Sequence, residues 1–192
     1  MVVILRLFLR PETLEVTEES LSAGQRVLVV RHDDRLGNII LMTPLISALK
    51  TNLPGVHLAV LVGSVYGDIL RGNPHIDEFL LFDKRAFIRN PLRFMGFVWR
   101  LRRGGYDLAV DASHMHSFSL MNALLTLLSG AWIRLGFDRG ESRLFHNVCV
   151  PCCSENVHET EILLGLADYI GKGDGRHSMK VVLNPEERAQ AR

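Results

Sequence analysis

The chain is poor in the features that would place it quickly. It has only three cysteines in 192 residues, and Cys149, Cys152 and Cys153 share one short stretch. That is no disulfide framework, so a reducing, cytoplasmic setting is expected. No charge sign dominates: 22 basic residues stand against 21 acidic ones, a formal net charge of +1. Such a balance removes any global attraction to nucleic acid or membrane and makes every electrostatic argument local. Long apolar runs are also missing, none approaching the roughly 20 residues of a membrane span. The opening "MVVILRLFLR" has neither a basic lead-in nor a small-residue cleavage site, so no signal peptide is expected. What remains is ordinary: 47% apolar and 22% charged residues, enough for one well-cored globular domain.

The order of elements is more telling. "RVLVV" (26–30), "VHLAVLVG" (56–63), "EFLLFD" (78–83) and "YDLAVDA" (106–112) are apolar, β-rich runs of the kind buried on both faces of a parallel sheet. A further short strand is expected near "WIRLGF" and a last one at "MKVVL" (179–183). Between them, helical spacing of apolar residues predicts helices over 38–52, 91–103, 118–130 and about 156–171. Residues 1–25 read as a leader with a polar connector, 26–184 as one domain, and 185–192 as the start of a linker. Alternating strand and helix implies an α/β fold, a Rossmann-like doubly wound parallel sheet with right-handed crossovers. Ligands of such sheets bind outside the carboxyl ends of the strands, here the loops after residues 30, 63, 83 and 111.

The first of these loops, "RHDDRLGN", crowds His32, Asp33, Asp34 and Arg35 before a helix start, where the backbone favours negative charge. A single acidic residue there is most simply a cap or an ion-pair partner. Gly37 stands alone where a dinucleotide fingerprint needs three glycines, which argues against NAD or FAD; it fits close helix–strand packing. From Lys84 to Arg103 there are seven basic residues and no acidic one. On a helical wheel Arg89, Arg93, Arg100 and Arg103 share one face, with Leu92, Met95, Val98, Trp99 and Leu101 on the rest. Either this is a core-packed helix with a solvated basic face, or it attracts anions: phosphorylated sugars or the headgroups of a membrane surface. Nucleic acid is disfavoured, because aromatic residues are not interleaved as in a stacking platform.

Two more loops carry polar clusters. "DASHMHS" sets His114 and His116 two apart, so both face one way if extended, lining a cleft or serving as structural histidines. "GFDRGESRLFHN" brings Arg139 and Arg143 to the same edge, either paired with Asp138 and Glu141 or free for a ligand. His146, Cys149, Cys152, Cys153 and His158 hint at zinc, but Pro151 and "VCV" read as a strand end and the second C-x-x-C is missing. "HETE" is not the H-E-x-x-H of a zinc protease; its acids suit a helix N-terminus.

"VLVVRHDDRLGNIILMTPLISALKTNLPGVHLAVLVG" followed by "GNPHIDEFLLFDK" resembles the N-terminal half of the family 9 glycosyltransferases, the lipopolysaccharide heptosyltransferases. "YDLAVDA", "LLSGAWIRLGFDR" and "HETEILLGLADYIG" continue the resemblance in order, over roughly 25–190. It implies the GT-B architecture, two Rossmann-like domains across a cleft. The N-terminal one would hold a lipid-linked, anionic sugar acceptor and the C-terminal one an ADP-heptose-like nucleotide-sugar donor. It calls for no metal or cofactor. It also implies that Lys84, Arg85 and Arg89 grip acidic acceptor sugars, with Arg139 and Arg143 as further acceptor contacts, and work at the inner face of the membrane.

Two departures stand out. The family's first loop ends in Gly-Asp, whose aspartate deprotonates the acceptor hydroxyl; here Gly37 is followed by Asn38. An amide has no useful basicity, so either Asp33 or Asp34 substitutes, with His32 a weaker choice, or base function is lost. Second, the donor-binding half would lie beyond Arg192. The expected function is therefore the acceptor-binding domain of a glycosyltransferase. The alternatives are a non-catalytic acceptor- or partner-binding remnant and an autonomous Rossmann-type nucleotide binder.

Overall fold

A computed structural model describes residues 13–14, 25–33, 35–151, 157–171 and 177–180. Most of the expected leader, the 185–192 linker, Asp34, Cys152 and Cys153 lie outside the described residues. Six strands form one sheet: β1 (Arg26–Arg31), β2 (His57–Gly63), β3 (Glu78–Phe82), β4 (Leu108–Asp111), β5 (Ile133–Phe137) and β6 (Val148–Val150). All pair in parallel, in the order β3-β2-β1-β4-β5-β6. The expected strand at 179–183 is not seen in its described part, since Met179 and Lys180 carry no strand; 181–183 lie outside the described residues. "VCV" supplies the sixth strand instead.

Strand periodicity divides the core into two layers. Val27 and Val29 of β1 pack with Ile39, Leu45, Leu49, Leu163 and Leu166 on one face. Leu28 and Val30 pack with Phe97, Leu101 and Leu125 on the other. The helices supplying these residues are α1 (Leu36–Leu41), α2 (Thr43–Asn52) and α6 (Glu159–Ile170) on the first face, and α4 (Pro91–Arg103) and α5 (Leu120–Leu128) on the second.

The helix expected over 91–103 is found with those bounds, but the one expected over 38–52 is not, and the expected basic face is divided. The run 38–52 is broken at Met42 because Pro44 has no N–H to offer Ile40 and its ring crowds that carbonyl. The Thr43 hydroxyl donates to the Ile40 carbonyl instead, at 2.8 Å. The basic segment is likewise two helices, α3 (Lys84–Arg89) and α4. Asp83 caps the first, accepting from the Ala86 N–H at 3.0 Å, and Asn90 caps the second, ahead of Pro91. Arg89 therefore does not share a helix with Arg93, Arg100 and Arg103.

Candidate functional site

Strand order reverses between β1 and β4, so their loops diverge and leave a crevice at the carboxyl edge. An open cavity of about 490 Å³ lies there, lined by His32, Asp33, Arg35, Asn38, Lys84, His114, His116, Ser117, Ser119 and Asn122. Its size suits a small ligand. Three loops contribute, those after β1, β3 and β4, together with the start of α5.

The β1 loop is held by its own acid. Asp33 accepts from the Arg35 N–H at 3.1 Å and, through its other oxygen, from the Asn38 side-chain amide. Thus the amide at the helix mouth is tied to a carboxylate that faces the cleft. Asn122 of α5 fixes His32, accepting from its N–H at 3.0 Å and lying 3.1 Å from its Nδ1.

Behind this loop sits a residue that sequence reasoning passed over. Arg31, the last residue of β1, is fully buried. Its guanidinium donates to the Ala112 carbonyl at 2.7 Å, lies 3.5 Å from Glu159 and 4.0 Å from Asp33. Burial pulls the Arg31 pKa below its ordinary value, while Glu159, Asp33 and Asp111 oppose that. The other oxygen of Glu159 lies 3.4 Å from His114 Nε2. His114 Nδ1 accepts from the His116 N–H at 3.2 Å, so the ring's proton belongs on Nε2, aimed at Glu159. Both nitrogens of His114 are therefore engaged, and its ring is a wall of the cleft rather than a free base. His116 is exposed beside it, with ring centroids 5.3 Å apart.

The structure thus brings Asp33, Asn38, Lys84, His114 and His116 to one cavity. Gly37 is exposed nearby, and an added Cβ would meet nothing within 4 Å, so it does not serve close helix–strand packing. Arg85 and Arg89 are exposed on α3, outside the cavity lining. Arg139 donates to Ser113 Oγ, bracing the β5 loop against the β4 loop. Arg143 grips both oxygens of Asp138, Nε to Oδ1 at 2.9 Å, and this hydrogen bonding holds the Asp138 carboxyl below the usual range. That is the loop ion pair of the plainer reading. Asp34 lies outside the described residues.

A second buried pair underpins the β4 loop. Asp111 Oδ2 lies 3.2 Å from His146 Nε2, both about 1% exposed, and Asp111 Oδ1 accepts from the Ser113 N–H at 2.9 Å. Burial alone would raise the Asp111 carboxyl, but His146 and Ser113 outweigh it, leaving the group below its ordinary value. Among the described residues no three His, Cys, Asp or Glu side chains converge as a metal would need. His146 faces Asp111, and His158 caps α6, accepting from the Thr160 N–H at 3.3 Å.

Together the sheet order and the crevice define a Rossmann-like α/β domain, a fold shared with solved glycosyltransferase structures. The chain is similar to a glycosyl transferase family 9 crystal structure from Veillonella parvula, with TM-score 0.77 and 19% identity over 94% of this chain and 50% of that one. It is also similar to the E. coli heptosyltransferase WaaC solved with ADP (TM-score 0.67, 18% identity, 81% and 51% covered). E. coli ADP-heptose lps heptosyltransferase II is a third (TM-score 0.61, 17% identity, 86% and 49% covered). The chain spans about half the length of these solved structures. No protein-family model matches the sequence, and no curated protein does either.

Proposed function

We propose that this chain is the acceptor-binding domain of a glycosyltransferase resembling the heptosyltransferases, with residues 26–184 as the domain and 185–192 leading toward a donor-binding half. The observation that carries the reading is the Asp33 carboxylate, held at the cleft by the Asn38 amide and backed by buried Arg31. Residue 38 cannot take a proton, but its neighbour in space can. In the complete enzyme the acceptor hydroxyl would pass its proton to Asp33 as its oxygen attacks the anomeric carbon of a nucleotide-sugar, ADP-heptose-like in the resemblance, and the bond from that carbon to the diphosphate oxygen breaks to release the nucleoside diphosphate. Lys84 and Arg35, with the imidazole of His116, suit phosphate groups on a lipid-linked acceptor. Arg85 and Arg89 would meet those parts of the acceptor that extend beyond the cavity. The setting that follows is the cytoplasmic face of a membrane.

A thermal-shift titration tests the binding half of this proposal. A phosphorylated lipopolysaccharide core oligosaccharide should stabilise the chain, whereas ADP and UDP sugars should not. Stabilisation by nucleotide alone would sink the proposal and favour an autonomous nucleotide binder. With a donor-binding half joined, Asp33→Asn should lower turnover by about 100-fold or more while oligosaccharide binding stays nearly unchanged. The hydrogen bond from Asn38 also occupies one oxygen of Asp33, which favours a second reading, an acceptor-binding domain without turnover. If that holds, Asn38→Asp creates activity where the native chain has none.

A further inference from the structure

Helix α4 has two apolar stripes, and only one is used. Phe97 and Leu101 are buried, with Phe94 packed beside them against the sheet. Leu92, Met95 and Trp99, at i, i+3 and i+7, lie on the opposite side and are 77%, 66% and 62% exposed. Ile88 of α3, 73% exposed, precedes them. Of the apolar residues placed off the basic face, Leu101 is buried while Leu92, Met95 and Trp99 are not, because the sheet accepts one face of a helix and the inward stripe already fills it.

The cations surround this outer stripe. By helical periodicity Arg93 and Arg100 flank it on one side and Arg102 on the other. The Arg103 guanidinium lies over the Trp99 ring, 4.5 Å from its centroid. Among the described residues, no cation between Lys84 and Arg103 is in an ion pair, and the segment contains no acid to supply one. An uncharged apolar face would not discriminate by charge, whereas this one, bordered by arginines, favours an anionic partner that can also cover apolar side chains.

We propose that the outer face of α4, with Ile88, docks on an anionic bilayer surface, the apolar stripe entering the acyl boundary and the arginines meeting the headgroup phosphates. At 13 residues the helix is too short to span and suited to lie flat. Tryptophan at that depth keeps its ring apolar and its N–H wet. This inference stands apart from the transfer chemistry, since lipid binding is read without any sugar.

The test is co-sedimentation of the chain with phosphatidylcholine vesicles, with and without phosphatidylglycerol. Binding is expected only with the anionic lipid. The Trp132→Phe variant leaves Trp99 as the single reporter, whose emission should shift to the blue on binding. Leu92→Ser/Met95→Ser/Trp99→Ser should weaken partitioning by about tenfold or more. Arg93→Gln and Arg100→Gln should each weaken it by about fivefold. All these side chains are exposed, so thermal midpoints should not move. Absence of binding to anionic vesicles, or binding indifferent to the triple substitution, would overturn the proposal. Two further results would overturn it in favour of other occupants. A dimer abolished by the triple substitution, with no vesicle binding, would assign the face to a second copy of the chain. Displacement from vesicles by soluble phosphorylated oligosaccharide would assign it to the acceptor.

Discussion

Arg31 is a cation with no solvent access, and its neighbours explain why it is tolerated there. A buried guanidinium is costly unless its charge and donors are met; here the Ala112 carbonyl and Glu159 accept from its two terminal nitrogens and Asp33 lies 4.0 Å away, while Nε alone has no partner among the described residues. It thereby links three loops: its own, the β4 loop at Ala112, and the first turn of α6. Removing the charge leaves Glu159 nearly buried with no strong cation. Arg31→Met should therefore cost about 3–5 kcal/mol in chemical denaturation. The double variant Arg31→Met/Glu159→Gln should recover part of that loss, because the orphaned carboxylate is gone; a strictly additive double would show that the two do not act as a pair.

At the scale of elements, β4, β5 and the segment before β6 meet at Asp111 and His146. Gly136 of β5 is the condition for that meeting: a Cβ there would stand 2.5 Å from the His146 ring. Gly136→Ala should cost about 1–3 kcal/mol by forcing the ring aside, measured as a lowered denaturation midpoint. The carboxyl of Asp111 titrates lower in the folded chain than in the unfolded one. Its contribution is therefore complete above the unfolded value, about pH 4, and fades as pH falls through the lower folded value. Asp111→Asn should lower stability at neutral pH and flatten its loss in acid; an unchanged acid limb would deny the group this role. Such pairings also mark what the sequence could not show. The first five strands of the α/β order were legible because doubly buried parallel strands are continuous apolar runs; the three-residue sixth, Val148–Val150, was too short to stand out, and 179–183 was expected in its place. The helix break at Met42 was legible too, in Pro44, but the unbroken apolar periodicity masked it, whereas the helix start at Pro91 was read as it stands. Asp33, Asn38, Lys84 and His114 could be nominated because they sit on loops at the carboxyl edge. Arg31 and Asn122 could not, since their partners Glu159 and His32 are 128 and 90 residues away.

For the whole molecule, the net charge of +1 conceals a segregation that ties the cleft to the exposed stripe. Lys84 opens α3 and lines the cavity; Arg103 closes α4 beside Trp99. One basic segment therefore runs from the cleft to the proposed lipid-docking face. If both surfaces act, an acceptor embedded in a bilayer meets the cleft at the effective concentration set by docking rather than by free diffusion. Two linked weak contacts of this kind raise apparent affinity by about 100-fold without any new contact in the cleft. The vesicle-borne acceptor should accordingly bind more tightly than its soluble oligosaccharide. Leu92→Ser/Met95→Ser/Trp99→Ser should erase that difference while leaving soluble-oligosaccharide affinity unchanged. Titrations of both ligands, by calorimetry and by sedimentation, separate the possibilities. A triple variant that loses soluble binding as well would mean the stripe belongs to the acceptor site. One that keeps the full vesicle advantage would mean the cleft alone accounts for it.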